Sequence, residues 1–172
     1  IKNMKLISKI SDWIGQVFFA LAMLGGLLMM LHVTADVVAR TVFNIPLPGT
    51  GELSAGYYMI AIAFLPLAYV TKHDMHISAD LFTAVLPHRY KIFLMLLIDI
   101  LSIWYVYLIT IHTYTSAMRR TRSGEVWEIW GGYLPIWPAR WIIPIAAASM
   151  LLVLFTKVVE RSIDFVNNKG ES

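Results

Sequence analysis

The 172-residue chain contains no cysteine, which excludes disulfides, thiol redox chemistry and thiolate metal sites. Charge is also scarce. Asp, Glu, Lys and Arg make up 15% of the residues, against roughly a quarter in ordinary globular domains. The basic residues are scattered rather than striped, so the sequence has no electrostatic footing for nucleic acid. No stretch rich in Pro, Gly or Ser marks a linker to a second domain. A Gly-rich phosphate loop, a Ser-His-Asp set and a metal-ligand cluster are missing too, and nothing in the sequence points to an enzyme.

What the chain has in abundance is apolar sequence, 58% of all residues with a mean hydropathy of +0.66. Trp13–Ala35 and Leu53–Thr71 carry no formal charge, Ile92–Met118 carries only Asp99, and Trp141–Thr156 carries none. A helix rises ~1.5 Å per residue, so ~20 apolar residues cross a ~30 Å hydrocarbon core. The expected fold is therefore an all-α membrane protein, a single membrane domain over residues 1–172 embedded in the lipid bilayer. Its four transmembrane helices are expected at about 13–35, 53–71, 92–117 and 138–159, joined by short amphipathic interfacial helices. The first stretch is too long for the core of a signal peptide and reads as a retained helix.

The segments between the spans carry the finer signals. In residues 1–12, Met4, Ile7 and Ile10 recur at helical spacing while Lys2, Lys5, Lys9 and Asp12 occupy another face. That pattern suits either a basic helix on an anionic leaflet or a simple extension of span one. Gly25, Gly26 and Ala22 offer span one a close-packing patch, and Ala146–Ser149 offers one to span four. Pro66 is expected to kink span two. The interfacial segment 74–87 alternates Ile77, Leu81, Phe82 and Val85 with a watery face of His76, Asp80 and Thr83. Trp127, Trp130, Trp137, Trp141 and Tyr133 gather between spans three and four, which predicts a connector in the headgroup layer.

Orientation follows from Lys and Arg. With both termini cytoplasmic, the inner segments hold Lys2, Lys5, Lys9, Lys72, Arg89, Lys91, Lys157, Arg161 and Lys169. The outer segments then hold Arg40, Arg119, Arg120, Arg122 and Arg140. The balance favours cytoplasmic N- and C-termini, and it leaves the cluster Arg119, Arg120, Arg122 facing outward, where an acidic partner would suit it.

Few residues invite a chemical role. Asp99 lies about 12 Å inside span three; an ionisable group at that depth is a functional candidate, a packing residue, or the partner of another subunit's charge. His32 and His112 fall at similar depth, and two such histidines could ligate a b-type haem, as in the membrane anchor of an electron-transfer complex. Asp36 and Arg40 stand four residues apart and are expected to pair on one helix face. Glu52 opens span two, where a carboxylate suits the positive end of the helix dipole. His73, His76 and Asp80 have helical spacing but belong to a surface segment where solvation explains them.

The stretch from Asp36 to Ser54 resembles the first connector of the DctQ-type small membrane subunits of tripartite ATP-independent periplasmic (TRAP) transporters. The matching positions are Arg40, Phe43, Asn44, Pro46, Pro48, Glu52 and Leu53. Two further segments look familial, His76–Leu81 after span two and Tyr133–Pro138, with Trp137, before span four. The resemblance covers nearly the whole chain in spacing and span number. It implies a non-catalytic inner-membrane subunit, without a cofactor of its own, beside a large DctM-type subunit that carries the substrate and sodium sites. A periplasmic binding protein would deliver an organic acid anion. Contact with these partners is expected at Asp36, Arg40, Asn44, Glu52, Asp99, Arg119, Arg120, Arg122 and Trp137.

Overall fold

A computed structural model describes residues 2–73 and 88–167. The expected interfacial segment 74–87, with His76 and Asp80, lies outside the described residues. Among the described residues, four helices are long and apolar enough to cross a membrane. Helix α1 runs unbroken over Lys2–Val42, so the N-terminal segment continues directly into the first span. Span two, α2, covers Thr50–Lys72. Helix α3 covers His88–Ser123, and α4 covers Ile142–Asn167 behind a single 3-10 turn at Ala139–Trp141.

Span two is the irregular one. Its second turn, Ser54–Tyr58, is π-helical, and the chain turns at Leu65–Pro66 before helix resumes at Leu67. Proline has no N–H to donate, so the break falls where the sequence places Pro66. The helix recovers at once, with the Val70 N–H donating to the Pro66 carbonyl at 2.9 Å.

Packing follows side-chain size. The α3–α4 seam is built on Val106, Ala147 and Leu154, flanked by Ile103, Ile109, Met150 and Leu151. Ala146 and Ala147 are buried there, as the small-residue face of span four predicts. Helix α1 packs on α2 and α4. Its close approach is at Gly15, where a Cβ would sit 3.5 Å from the Tyr69 backbone. Gly25 and Gly26 would only reach ordinary contact with Ile62, so the tight spot falls nearer the N-terminal end of α1 than the glycine pair. Phe19 stacks on Tyr69 at 4.5 Å, and Lys72 pairs with Asp12 at 3.5 Å to tie α1 to α2 at the terminal end of the bundle.

The connector between α3 and α4, expected in the headgroup layer, has regular structure of its own. Val126–Ile129 (β1) and Gly132–Pro135 (β2) form a two-stranded antiparallel hairpin, with Ile129 opposite Gly132 and Trp130-Gly131 as the turn. Gly131 sits at φ 90°, a left-handed value that a two-residue hairpin turn demands and glycine adopts without strain.

Candidate functional site at the connector end

Both connectors meet at the end of the bundle opposite the termini, and the residues there interlock. Asp36, in the last turns of α1, is only 6% exposed. One carboxylate oxygen accepts from Arg40 at 2.9 Å and the other from the Leu47 backbone N–H at 2.8 Å. The expected i,i+4 pair is thus present, but its second contact does more. It fixes the returning chain eleven residues later against the helix it left. Asn44 reverses the chain at φ 55°, a conformation its short polar side chain tolerates. The Ile45 N–H then reaches back to the Ala39 carbonyl at 3.3 Å. Thr50 closes the turn by donating to the Leu47 carbonyl at 3.2 Å, and half-buried Glu52 follows in the first turn of α2.

The hairpin is seated on this turn through two glycines of span two's entry. A Cβ on Gly49 would lie 3.2 Å from the Ile129 side chain, and one on Gly56 would lie 2.9 Å from Ile136 and 3.4 Å from Trp127. Ile136 fills the Gly56 notch and is 1% exposed. The Tyr57 hydroxyl donates to the Pro135 carbonyl at 2.6 Å. Together these contacts lock β2 against the π-helical turn.

Glu125 holds the root of the hairpin. Its carboxylate accepts a two-pronged pair of bonds from Arg140, at 3.2 Å from Nε and 3.0 Å from Nη2, with Arg120 at 3.7 Å. The Arg140 hydrogen bonds, and secondarily the two positive charges, hold the Glu125 carboxyl below its ordinary range against the opposing effect of burial. The Glu125 backbone carbonyl accepts from the Ile136 and Trp137 N–H groups at 3.0 and 3.3 Å. Trp141 closes the other side, donating from its indole to Thr121 at 2.9 Å.

Of the residues singled out in the sequence, Asp36, Arg40, Asn44, Glu52, Arg120 and Trp137 are all part of this assembly. Arg119 and Arg122 are exposed beside it and, among the described residues, have no ion-pair partner. Asp99 is elsewhere. It is buried in α3 about 36 Å along the axis from the hairpin end. The histidines are not brought together. His32 faces Tyr58 of α2 at 3.5 Å, whereas His112 is exposed on α3, which packs on α4 rather than on α1. Sequence reasoning missed Glu125, Tyr57, Ile136 and the two notch glycines. The Gly131-Gly132 pair was the one available signal for a turn. The Glu125–Arg140 pair spans 15 residues of irregular chain and obeys no helical or strand spacing. Among the described residues no three His, Asp or Glu side chains converge on a metal site.

One family model matches residues 29–163, well over half of the chain; its description is "Tripartite ATP-independent periplasmic transporters, DctQ component". No protein of curated function matches the chain.

Proposed function

The chain belongs to the DctQ family of TRAP transporter components, and on that premise we propose that it is the fixed, non-catalytic membrane subunit of a sodium-coupled importer of an organic acid anion. In this reading it braces a large DctM-type subunit that holds the sodium and substrate sites. Both termini are cytoplasmic, and the interlocked connectors face the periplasm and help dock the substrate-binding protein. The observation that carries the reading is the rigidity of the connector end beside its exposed cations. The carboxylates of buried Asp36 and half-buried Glu125 are consumed internally, while Arg119 and Arg122 remain available to an acidic surface. That division suits a scaffold, which holds its own connectors with internal pairs and leaves cations on the surface, alongside the exposed carboxylate of Glu128.

The test is charge reversal. Arg119→Glu with Arg122→Glu is expected to lower both substrate uptake and affinity for the binding protein, and to do so less as salt rises. Unchanged uptake and affinity would remove the docking role. Arg120 is the internal control, because its nearest acidic partner is Glu125.

A further inference from the structure

The two longest helices expose faces of opposite chemistry at membrane depth. The outer face of α1 presents Met23, Leu24, Leu27, Leu28, Met30 and Leu31, all aliphatic or thioether groups that acyl chains solvate well. The outer face of α3 presents Trp104 at 62% exposure, with Tyr107 at 53% on one flank and Tyr105 at 62% and exposed His112 on the other. Trp104 is ~22 Å from Arg119 along the axis and ~20 Å from Lys91, and Tyr107 is ~18 and ~24 Å from the same markers. Whichever end is taken as the interface, these rings sit near the midplane of a ~30 Å core, beyond reach of the headgroups.

Tryptophan and tyrosine belong at membrane interfaces, where the polar tip stays wet. Placed at mid-depth, each indole N–H and phenol O–H needs a protein partner, because acyl chains offer no acceptor. The threonines of α3 solve this locally. Thr110, Thr113 and Thr115 each donate to the carbonyl four residues back, at 2.8, 2.7 and 2.9 Å. Exposed Trp104, Tyr105, Tyr107 and His112 make no hydrogen bond among the described residues.

We propose that this face of α3 is the seam with the large membrane subunit, and that α1's aliphatic face is the lipid-facing side. The inference rests on the scaffold reading above and assigns its surface. The occupant is a transmembrane helix with small residues opposite Trp104 and with a hydroxyl, carboxamide or free carbonyl group for the Tyr107 phenol. A second copy of this chain fits poorly. Two copies in one bilayer bring α3 against α3 in parallel, with Trp104 opposite Trp104, and the face (Leu97, Ile100, Leu101, Trp104, Tyr107, Ile111) offers no glycine or alanine to receive it.

The experiment places a photoreactive benzoyl-phenylalanine at Trp104 or Tyr107, and for comparison at Leu24 or Leu31. The tagged chain is co-expressed with its large subunit and irradiated in native membranes. Adducts to the large subunit from positions 104 and 107, with none from 24 and 31, support the assignment. If the large subunit co-purifies but the adducts come from α1, or if α3 yields only lipid or a second copy of this chain, the assignment falls and the scaffold reading stands. If no large subunit co-purifies under gentle extraction, both fall. The conservative change Tyr107→Phe supplies an independent measure. One interhelical hydrogen bond in a bilayer is worth about threefold in association, so its loss predicts about threefold weaker retention of the large subunit. The isolated chain's own unfolding should not change. Undiminished retention would overturn the role of the phenol.

Discussion

Replacing Glu125 by Gln tests the root of the hairpin. The carboxylate side chain is 13% exposed and its Arg140 partner 33%, so the pair is neither fully solvated nor deeply buried. A charge-assisted hydrogen bond is worth about 1.5–3 kcal/mol in a protected site, and exposed pairs much less. Gln keeps the shape and can accept one of the two Arg140 bonds, so the loss is that of one bond and the ionic component, discounted for Arg140's exposure. That leaves about 1–2 kcal/mol, or roughly tenfold in the population of the opened hairpin. The local reporters are the Ile136 and Trp137 amides, which donate to the Glu125 carbonyl and exchange only when the root opens. Hydrogen exchange at these two amides should accelerate roughly tenfold in Glu125→Gln, while the α3–α4 seam amides keep their wild-type rates. The same lysate-free protein carried through an acid series gives the sign. Because the folded carboxyl titrates below its ordinary 4.5, its contribution is fully present above the unfolded value. It is lost only as pH falls through the lower, folded value. Exchange corrected for intrinsic rate should therefore be flat from pH 8 to pH 5 and rise below about pH 4 in wild type alone. Unchanged Ile136 and Trp137 protection in Glu125→Gln would refute the clamp.

Three further changes separate the connector contacts. Asp36→Ala leaves the Leu47 N–H without its acceptor and should cost about 1–3 kcal/mol, whereas Arg40→Ala, at a side chain 64% exposed, should cost under about 1 kcal/mol; unfolding of the two variants side by side would show equal losses if the ion pair mattered more than the backbone bond. Gly56→Val drives branched carbons into Ile136 and Trp127 and should destabilise by about 1–3 kcal/mol, with earlier proteolysis within 126–135; a fully protected hairpin would contradict the notch. Tyr57→Phe removes the bond to Pro135 at about 1 kcal/mol and should be additive with neither Gly56→Val nor Glu125→Gln, because all three act on one docked strand.

The spans were legible because a bilayer imposes a single severe rule, about twenty consecutive apolar residues, that local context cannot override. Pro66 announced its break for a similarly local reason. The hairpin was not legible. Its strands are four residues each, and Trp127 and Tyr133 carry an interfacial signal strong enough to mask the alternation of Val126–Ile129. The Asp36–Arg40 pair could be read from a spacing of four, but the bond from Asp36 to Leu47 depends on how Asn44 and Gly49 bend the chain. The glycine notches are likewise tertiary facts. Gly49 and Gly56 look like any loop or membrane glycine until Ile129 and Ile136 arrive from eighty residues away.

The seating of Ile136 in the Gly56 notch also sets an order of assembly. When the first two spans leave the ribosome, the turn at residues 43–49 has its Asp36 brace but no lid, and the π-helical turn of span two is open. The lid comes from chain made only after span three. A nascent chain halted after residue 123 should therefore show a protease-accessible first connector that becomes resistant once residues 124–140 emerge and span four inserts. The late hairpin closes the early turn, so the periphery of this bundle matures from its last connector backward.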